Sequence, residues 1–211
     1  MKEYKGWWTP DYCTEAVDYV VKEWESKGTK VIEILKNKRT VIQAGGNLGI
    51  FPKKLSAHFD TVYCFEPINE NFKCLTKNLD GIQNIKSFEK GLSNHNHKAS
   101  ISWQAPKNSG AIRLSQDTQG MDLISIDSQN IQNVDLIWLD LEGFEYKALQ
   151  GAKITIEKNK PVLVIENNGL IHEFQGTNKG NDNFRKTLRT EFGYKFHSRL
   201  MRDDVYVPED Y

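Results

Sequence analysis

Hydrophobic and polar positions alternate in blocks from Thr40 onward. Short apolar runs (VIQA, TVYCF and the weaker IKSF) are separated by the amphipathic stretches NLGIFPKKLSAHF and NENFKCLTKNL, whose apolar residues recur with helical spacing. Short apolar runs are typical of buried strands, and longer amphipathic stretches are typical of surface helices. Strands that alternate with helices predict a parallel, doubly wound sheet.

The same pattern returns in the second half of the chain. The runs VDLIWLD (134–140) and PVLVIE (161–166) flank the helix-like segment EGFEYKALQ and are apolar at successive positions, as in strands buried on both faces. Near the C-terminus, YKFHSRL and DVYVP are separated by a short polar turn and predict a closing antiparallel hairpin. The predicted fold is therefore α/β and doubly wound, Rossmann-like, with a mostly parallel seven-stranded sheet.

Two segments fall outside this alternation. Residues 1–39 predict an N-terminal cover segment that contains one helix, with Gly28 placed to end it. Residues 94–119 are polar, and their one alternating run, KASISWQ, predicts an edge strand in an excursion from the sheet. Residues 40–211 carry the α/β pattern itself, and we expect a single domain overall.

The composition of the chain limits the kinds of molecule that the protein is expected to bind. Among the 211 residues, 28 Lys and Arg balance 28 Asp and Glu, which leaves no basic stripe for a nucleic-acid backbone, so no nucleic acid is expected as a partner. The chain has no apolar run of ~20 residues and no apolar segment after Met1, so we expect neither a membrane partner nor a signal peptide. Three irregularly spaced cysteines favour a reducing compartment, and a cytoplasmic location is expected.

A glycine-rich turn follows the first apolar run, in the stretch VIQAGGNLGIF (41–51). Glycine permits positive φ and a close approach of another group, and the following helix favours an anionic ligand. The alternative is that the glycines only make a tight turn. A dinucleotide loop, G-x-G-x-x-G, fails here at Ala44, whereas Gly45-x-Asn47-x-Gly49 is the pattern of class I methyltransferases that bind S-adenosylmethionine.

Carboxylates stand at the ends of three other predicted strands. Glu66 lies 20 residues after Gly46, at the distance where an acidic side chain can accept hydrogen bonds from ribose hydroxyls. Asp140 and Glu166 end two further strands. Because the carboxyl ends of parallel strands open on one side of the sheet, these residues are expected to converge with Gly45 on one crevice. Each carboxylate alone has the alternative role of a helix cap or a solvated turn.

Several motifs together carry a family resemblance: QAGGNLG, CFEPINENFKCLTKNL, GLSN, VDLIWLDLEGFEYKALQGA and PVLVIE. The set resembles the FkbM-type methyltransferases, whose pattern is roughly an acidic residue before GAN-x-G, then FEP with N-x-x-NF, ALS, D-x-EG-x-E-x-x-x-L-x-G and a strand ending in Glu. The resemblance covers about residues 40–170, and a closing RDDVYVP also fits. It implies an S-adenosylmethionine-dependent methyltransferase domain over 40–211.

The resemblance implies a group of residues around the cofactor. The group comprises Gln43, Gly45, Gly46, Asn47, Gly49, Glu66, Pro67, Gly91, Leu92 and Asp140. The glycine loop with Asn47 approaches the methionine end, and Glu66 binds the ribose hydroxyls. Pro67 shapes the turn after Glu66, while Gly91 and Leu92 lie by the adenine.

Gln43 departs from the family pattern. The family usually has Asp or Glu at this position, a residue that helps to hold the positively charged ammonium of the cofactor. An amide oxygen accepts a hydrogen bond but brings no charge, so weaker cofactor binding is expected.

The resemblance also implies an alcohol acceptor, namely a small-molecule or glycan substrate such as a sugar hydroxyl or a secondary metabolite. An alcohol holds its proton tightly, so a general base or a metal would help the transfer. The candidates for the catalytic base are Asp140, Glu142, Glu166 and His172. Asp140 and Glu166, together with Asn167, also form an all-oxygen set that would suit Mg²⁺.

Two other classes of function remain open. Enzymes that methylate the amino groups of bases commonly carry Asp/Asn-Pro-Pro-aromatic after the fourth strand, where this chain reads Asp140-Leu141-Glu142-Gly143. That difference and the neutral charge argue against a nucleic-acid or protein N-methyltransferase. The other class is an inactive cofactor-binding module, for which Gln43 is the supporting feature.

Overall fold

A computed structural model gives the fold and describes residues 1–13, 16–104, 112–117, 120–167, 169, 171 and 180–211. The strands are β1 (Lys2–Tyr4), β2 (Trp7–Thr9), β3 (Thr40–Ala44), β4 (Thr61–Phe65), β5 (Ile85–Phe88), β6 (Gly91–Leu92), β7 (His97–Gln104), β8 (Ile112–Asp117), β9 (Met121–Ile124), β10 (Val134–Leu139), β11 (Val162–Glu166), β12 (Tyr194–Leu200) and β13 (Asp203–Pro208). The helices are α1 (Ala16–Ile34), α2 (Ile50–Leu55), α3 (Asn69–Asn78), α4 (Glu145–Gln150), α5 (Lys153–Asn159) and α6 (Gly180–Phe192).

The largest sheet has, in the described part of the chain, seven strands in the order β12-β13-β11-β10-β3-β4-β5. Pairing is parallel from β11 through β10, β3 and β4 to β5, and β13 is antiparallel to both of its neighbours. Every residue of β3 and β11 is buried, because apolar layers cover both faces of these central strands. The predicted doubly wound, mostly parallel sheet with a closing hairpin, β12–β13, is confirmed.

A second sheet contains the predicted excursion and its two flanking strands, β6 and β9. Its strands run β6-β9-β7-β8, so the KASISWQ strand, β7, lies between β9 and β8. The prediction of an edge strand was therefore wrong. An alternating pattern reports one buried and one exposed face, and it does not report how many partners the backbone has. Ala99 is buried in this sheet, where Leu123 and Phe144 complete a small apolar cluster.

The N-terminal helix is longer than the sequence indicates. Gly28 lies inside α1, which continues to Ile34, so the predicted end at Gly28 was wrong. A Cβ atom at position 28 would lie 2.6 Å from the ring of Trp24, one turn earlier in the helix. The glycine makes room for this buried indole, which packs on Trp138 of β10 and thereby joins α1 to the sheet.

A short hairpin, β1–β2, precedes α1 and packs on α3. Asn78 joins three parts of the structure, because its side chain accepts from the Trp8 N–H (2.7 Å) and donates to the carbonyl groups of Trp8 (2.9 Å) and Leu48 (2.8 Å). The N-terminal segment is thus tied to the loop before α2. The boundary between a cover segment, 1–39, and a methyltransferase domain, 40–211, stays a prediction.

Candidate active site

The turn after β3 needs glycine for reasons of space and conformation. Gly45 has φ +85°, and a Cβ atom there would lie 2.0 Å from the carbonyl oxygen of Asp140. At Gly46 a Cβ atom would lie 2.6 Å from the Cys64 sulfur and 2.7 Å from a Leu75 methyl group. These glycines therefore let the loop pack between the ends of β10 and β4 and the helix α3, which brings the ends of the three strands together.

Glu66, directly after β4, is tied to the glycine loop. Its carboxylate accepts hydrogen bonds from the backbone N–H groups of Asn47 (2.7 Å) and Ile68 (2.9 Å). Asn47 adopts the left-handed conformation (φ 45°) that directs its N–H at Glu66. Burial raises the pKa of Glu66 to about 7, even though these backbone donors act in the opposite direction. The Asn71 side chain is a third donor to this carboxylate, and since a carboxylate has about four acceptor positions, one is left for a hydroxyl group of a ligand.

The residues predicted for the adenine end lie near the turn that follows Glu66. Gly91 and Leu92 form the buried strand β6, and a Cβ atom at Gly91 would lie 3.4 Å from the Cβ of Pro67, the residue that follows Glu66. The structure therefore brings Gly91 of β6 close to Pro67. Gly49, with φ +85°, ends the loop as the N-terminal cap of α2.

The Gln43 side chain is occupied within the protein. It is only 2% exposed, and its Nε2 donates to the carbonyl oxygen of Gly45 at 3.0 Å. The thiol of Cys64 donates to its Oε1 at 3.4 Å. Both ends of the amide thus fix the glycine turn to β4. Gln43 acts as a structural tie in this arrangement, and it adds no charge to the cleft.

A small cleft lies beside the glycine turn. It is lined by Val20, Glu23, Gln43, Gly45, Gly46, Asn47, Leu48, Ile50, Phe51, Trp138 and Asp140. Most of these residues come from the stretch 43–51 that the sequence singles out. Val20 and Glu23 come from α1 and were missed, because an acidic residue in an amphipathic helix has the same sequence signal whether it faces solvent or a cleft.

Three carboxylates form a cluster at the ends of β10 and β11. One oxygen from each of Asp140, Glu142 and Glu166 lies within 4.8 Å of the others. Burial, with a further contribution from the neighbouring Asp140 and Glu142, raises the pKa of Glu166 far above its ordinary value, and Glu166 shares a hydrogen bond with Asp140. A guanidinium nitrogen of Arg202 lies 3.3 Å from Glu166. At neutral pH, Glu166 therefore keeps its proton beside the Asp140 carboxyl group.

Glu145 is a residue of this site that the sequence analysis did not single out. Its carboxylate accepts from the backbone N–H groups of Leu141 (2.8 Å) and Gly143 (3.0 Å), inside the turn that carries Asp140 and Glu142. Burial raises the pKa of Glu145 to about 8. The second acidic residue of the D-x-EG-x-E motif thus holds the shape of the turn. The motif spacing could have identified it, because the side chain of a residue in the first helical turn can reach back to preceding N–H groups.

The predicted Mg²⁺ set of Asp140, Glu166 and Asn167 is brought together only in part. Asn167, the third member of the predicted set, donates its side-chain amide to Asp204 at 3.0 Å. Glu166 already lies 3.3 Å from the guanidinium of Arg202, which compensates part of the negative charge that would attract a divalent cation. We therefore derive no catalytic step through a metal. His172, the other predicted base, lies outside the described residues.

Comparisons with known proteins indicate the family of the chain. A family model described as the methyltransferase FkbM domain matches residues 27–196. No curated protein sequence matches the chain. Among solved structures, methyltransferase FkbM from Methylobacillus flagellatus KT is 19% identical with a TM-score of 0.54, and the match covers 83% of this chain and 45% of that one. This chain therefore corresponds to less than half of the length of that relative.

Two further solved structures share the fold over most of their length. An rRNA methylase from Streptococcus thermophilus is 10% identical with a TM-score of 0.50, covering 92% of this chain and 96% of that one. The protein SMU.1697c from Streptococcus mutans, solved in complex with SAH, is 12% identical, with the same TM-score of 0.50 and the same coverage of 92% and 96%. The family match covers most of the chain and includes the glycine loop, Glu66 and the acidic cluster. The chain belongs to the FkbM methyltransferases, a family of S-adenosylmethionine-dependent enzymes.

Proposed function

We propose that the protein transfers a methyl group from S-adenosylmethionine to a hydroxyl group of a sugar, a glycan or a small metabolite. One observation carries the proposal: Asp140, Glu142 and Glu166 bring a carboxyl oxygen each within 4.8 Å of one another, and Asp140 also lines the cleft beside the glycine loop. An alcohol must lose its proton during methyl transfer, and a carboxyl group of this cluster can accept that proton.

The residues around the cleft fit the cofactor. When bound, S-adenosylmethionine supplies a methyl group on a positively charged sulfur. We assign Glu66 as the acceptor for the ribose hydroxyls, and the backbone N–H groups of Asn47 and Ile68 fix its position. The glycine loop allows the ligand to approach the backbone closely. Much of the catalysis then comes from holding the acceptor oxygen in line with the methyl carbon.

Asp140 is the residue that we assign as the general base. Glu166 keeps its proton and shares a hydrogen bond with Asp140, and Asp140 also lines the cleft. As the acceptor oxygen forms its new bond to carbon, Asp140 takes the hydroxyl proton. Glu142, with φ +51°, lies on the same turn and adds negative charge beside the acceptor. Negative charge at this place makes transfer of the hydroxyl proton into the cluster more favourable, because it attracts the proton.

The surroundings of the cluster favour a neutral, hydroxyl-rich acceptor over a nucleic acid. Three carboxyl groups close together disfavour the approach of a phosphodiester backbone. Tyr19 of α1 is 48% exposed, and its ring lies 5.6 Å from the guanidinium of Arg202, which itself contacts Glu166. An exposed aromatic ring beside the site offers an apolar surface with a polar tip, which suits the C–H face of a sugar ring.

The test is a screen with isotopically labelled methyl donor. Nucleotide sugars, free glycans and small alcohols form one set of acceptors, and RNA and protein form the other. We expect label only in the first set, bound to oxygen, and we expect Asp140→Asn to abolish most of it. Label on nitrogen in RNA or protein would contradict the proposal. Binding of the donor without transfer to any acceptor would favour a cofactor-binding module.

A further inference from the structure

The cleft beside the glycine loop has to accommodate a positive charge. The methionine end of S-adenosylmethionine carries an ammonium group, and a buried charge is costly unless an opposite charge or hydrogen bonds compensate for it. Gln43 stands at the position where an acidic residue would do this, and it is neutral. Its Oε1 accepts from the Cys64 thiol, and its Nε2 donates to the Gly45 carbonyl group. The compensating charge must come from elsewhere.

Glu23 lines the same cleft as Gln43, Gly45 and Asp140. It belongs to α1, ahead of the first strand of the main sheet, and its side chain is only 5% exposed. A buried carboxylate in the wall of a cleft that has to hold a cation is unusual for a cover helix, since charged residues of such helices mostly face solvent. Its placement therefore supports a role in the cleft.

The neighbouring cations leave part of Glu23 available. Lys27 lies 3.2 Å from its Oε1, but Lys27 is closer to Asp203, at 2.7 Å. Arg202 lies 3.5 Å from the same Oε1, but it is closer to Glu166, at 3.3 Å. Both contacts use Oε1, and among the described residues no hydrogen bond reaches Oε2. Glu23 is thus the second partner of both cations.

The balance of charge around Glu23 also favours a cation. The acidic side chains of this region are Glu23, Asp140, Glu142, Glu166 and Asp203, and the basic ones are Lys27 and Arg202. Even with a proton on Glu166, acids outnumber bases. An added positive charge therefore improves the electrostatic balance of the region.

We propose that Glu23 binds the ammonium group of the cofactor and supplies, from the cover helix, the negative charge that Gln43 lacks. The inference rests on the use of S-adenosylmethionine by the family. It assigns a cofactor contact to α1, which lies outside the family motifs. A charge-assisted hydrogen bond of this kind is stronger than a neutral one, so its loss is measurable.

The experiment compares two ligands by calorimetry. One is S-adenosylhomocysteine, which carries the ammonium but no sulfonium charge; the other is the same molecule with the α-amino group replaced by hydrogen. We expect Glu23→Gln to weaken binding of S-adenosylhomocysteine by about tenfold or more and to leave binding of the deamino ligand within about twofold. Glu25→Gln, an exposed acid on the same helix, is the matched control and is expected to change neither affinity.

Each other outcome overturns the inference. Equal losses for both ligands would mean that Glu23 only shapes the cleft, and unchanged binding of S-adenosylhomocysteine would mean that the ammonium lies elsewhere. A wild-type protein that binds neither ligand would refute the cofactor site as a whole, which separates that failure from the failure of Glu23 alone. If Glu23→Gln does not fold, Glu23→Asp keeps the charge beside Lys27 and withdraws the carboxylate from the cleft, and it is expected to show the same selective loss.

Discussion

Glu66 and Glu166 occupy similar positions in the fold but differ in their pKa values. Each is a glutamate at the carboxyl end of a buried parallel strand, and their exposures are nearly equal, 4% and 3%. Glu66 accepts from two backbone N–H groups, and its pKa is raised to about 7. Glu166 faces Asp140 and Glu142, and its pKa is raised much further. Burial alone cannot explain the difference.

The comparison shows that neighbouring dipoles and charges decide the function of a strand-end carboxylate. Backbone donors stabilise the charged form of Glu66, so it can act as an acceptor for hydroxyl groups near neutral pH. Nearby carboxylates destabilise the charged form of Glu166, so it stores a proton, and the neighbouring Asp140 is the carboxyl group that also lines the cleft. The first arrangement suits binding, and the second suits proton transfer.

The largest expected effect is at Asp140. Asp140→Asn keeps the shape of the side chain and removes the proposed base, so turnover is expected to fall by ~10²–10⁴-fold. Cofactor affinity is expected to change little, because the loop glycines and Glu66 remain. Steady-state rates and calorimetry on the same preparation measure both quantities. Near-normal turnover would move the base elsewhere, and His172 would be the next residue to replace.

The next largest effect is at Glu66. Glu66→Gln keeps an oxygen that can accept from the Asn47 or Ile68 N–H group but removes the charge, and cofactor binding is expected to weaken by ~1.5–3 kcal/mol. Glu66→Ala would also leave both N–H groups without their acceptor, so its loss of affinity would include a change in the loop. Unchanged affinity in a folded Glu66→Gln protein would remove the ribose assignment.

A smaller effect is expected from pH alone. With a pKa of about 7, Glu66 is mostly protonated at pH 6 and mostly ionised at pH 8. If the ionised form binds the ribose hydroxyls, affinity for S-adenosylhomocysteine rises by up to about tenfold over this interval. The Glu66→Gln protein is the reference, and its affinity is expected to vary less over the same interval. An affinity that falls with pH in the wild type alone would contradict the assignment.

The smallest expected effect on turnover is at Glu166. Because Glu166 already carries a proton, Glu166→Gln resembles the native state, and turnover is expected to stay within about tenfold of the wild type.

The stability of the protein gives a second readout for Glu166. Glu166 keeps its proton when folded and loses it when unfolded above pH ~4.5, so its contribution to stability falls as pH rises above that value.

Urea unfolding at pH 5 and pH 8 measures this contribution. The free energy of unfolding of Glu166→Gln, relative to that of the wild type, is expected to be higher at pH 8 than at pH 5. Glu66, Glu145 and Asp203 also have raised pKa values, but they are present in both proteins and their effects largely cancel in the difference. A relative stability that is independent of pH would mean that Glu166 is ionised in the folded protein.

The sequence predicts the main sheet because its strands are buried on both faces and read as unbroken apolar runs, as in VLVIE of β11. It also predicts which strand ends carry polar groups. It does not predict the second sheet, since β6 has only two residues and its pairing with β9 joins positions distant in sequence. Nor does it place the end of α1, because Gly28 is retained for the packing of Trp24 rather than for a turn.

Residues outside the motifs show a second limit of predicting the site from the sequence pattern. The acidic side chains of α1 have the same chemistry at Glu23 and Glu25, but only Glu23 is buried against the cleft. Helical periodicity predicts which face of α1 packs on the sheet, and it does not predict that a carboxylate on this face meets Lys27 and Arg202. Such contacts arise from the docking of α1 beside β13, which has no local signature.

Within the described part of the chain, no helix combines the length and hydropathy that a membrane span needs.

The most direct test of the proposed reaction follows a ¹³C-labelled methyl group from S-adenosylmethionine to its product. With an acceptor from the screen, the carbon shift of the product distinguishes an O-methyl from an N-methyl group, and parallel reactions compare wild type with Asp140→Asn and Glu166→Gln. The account predicts an O-methyl product, formed at a rate that falls by ~10²–10⁴-fold in Asp140→Asn and far less in Glu166→Gln. An N-methyl product, or equal rates in all three proteins, would contradict it.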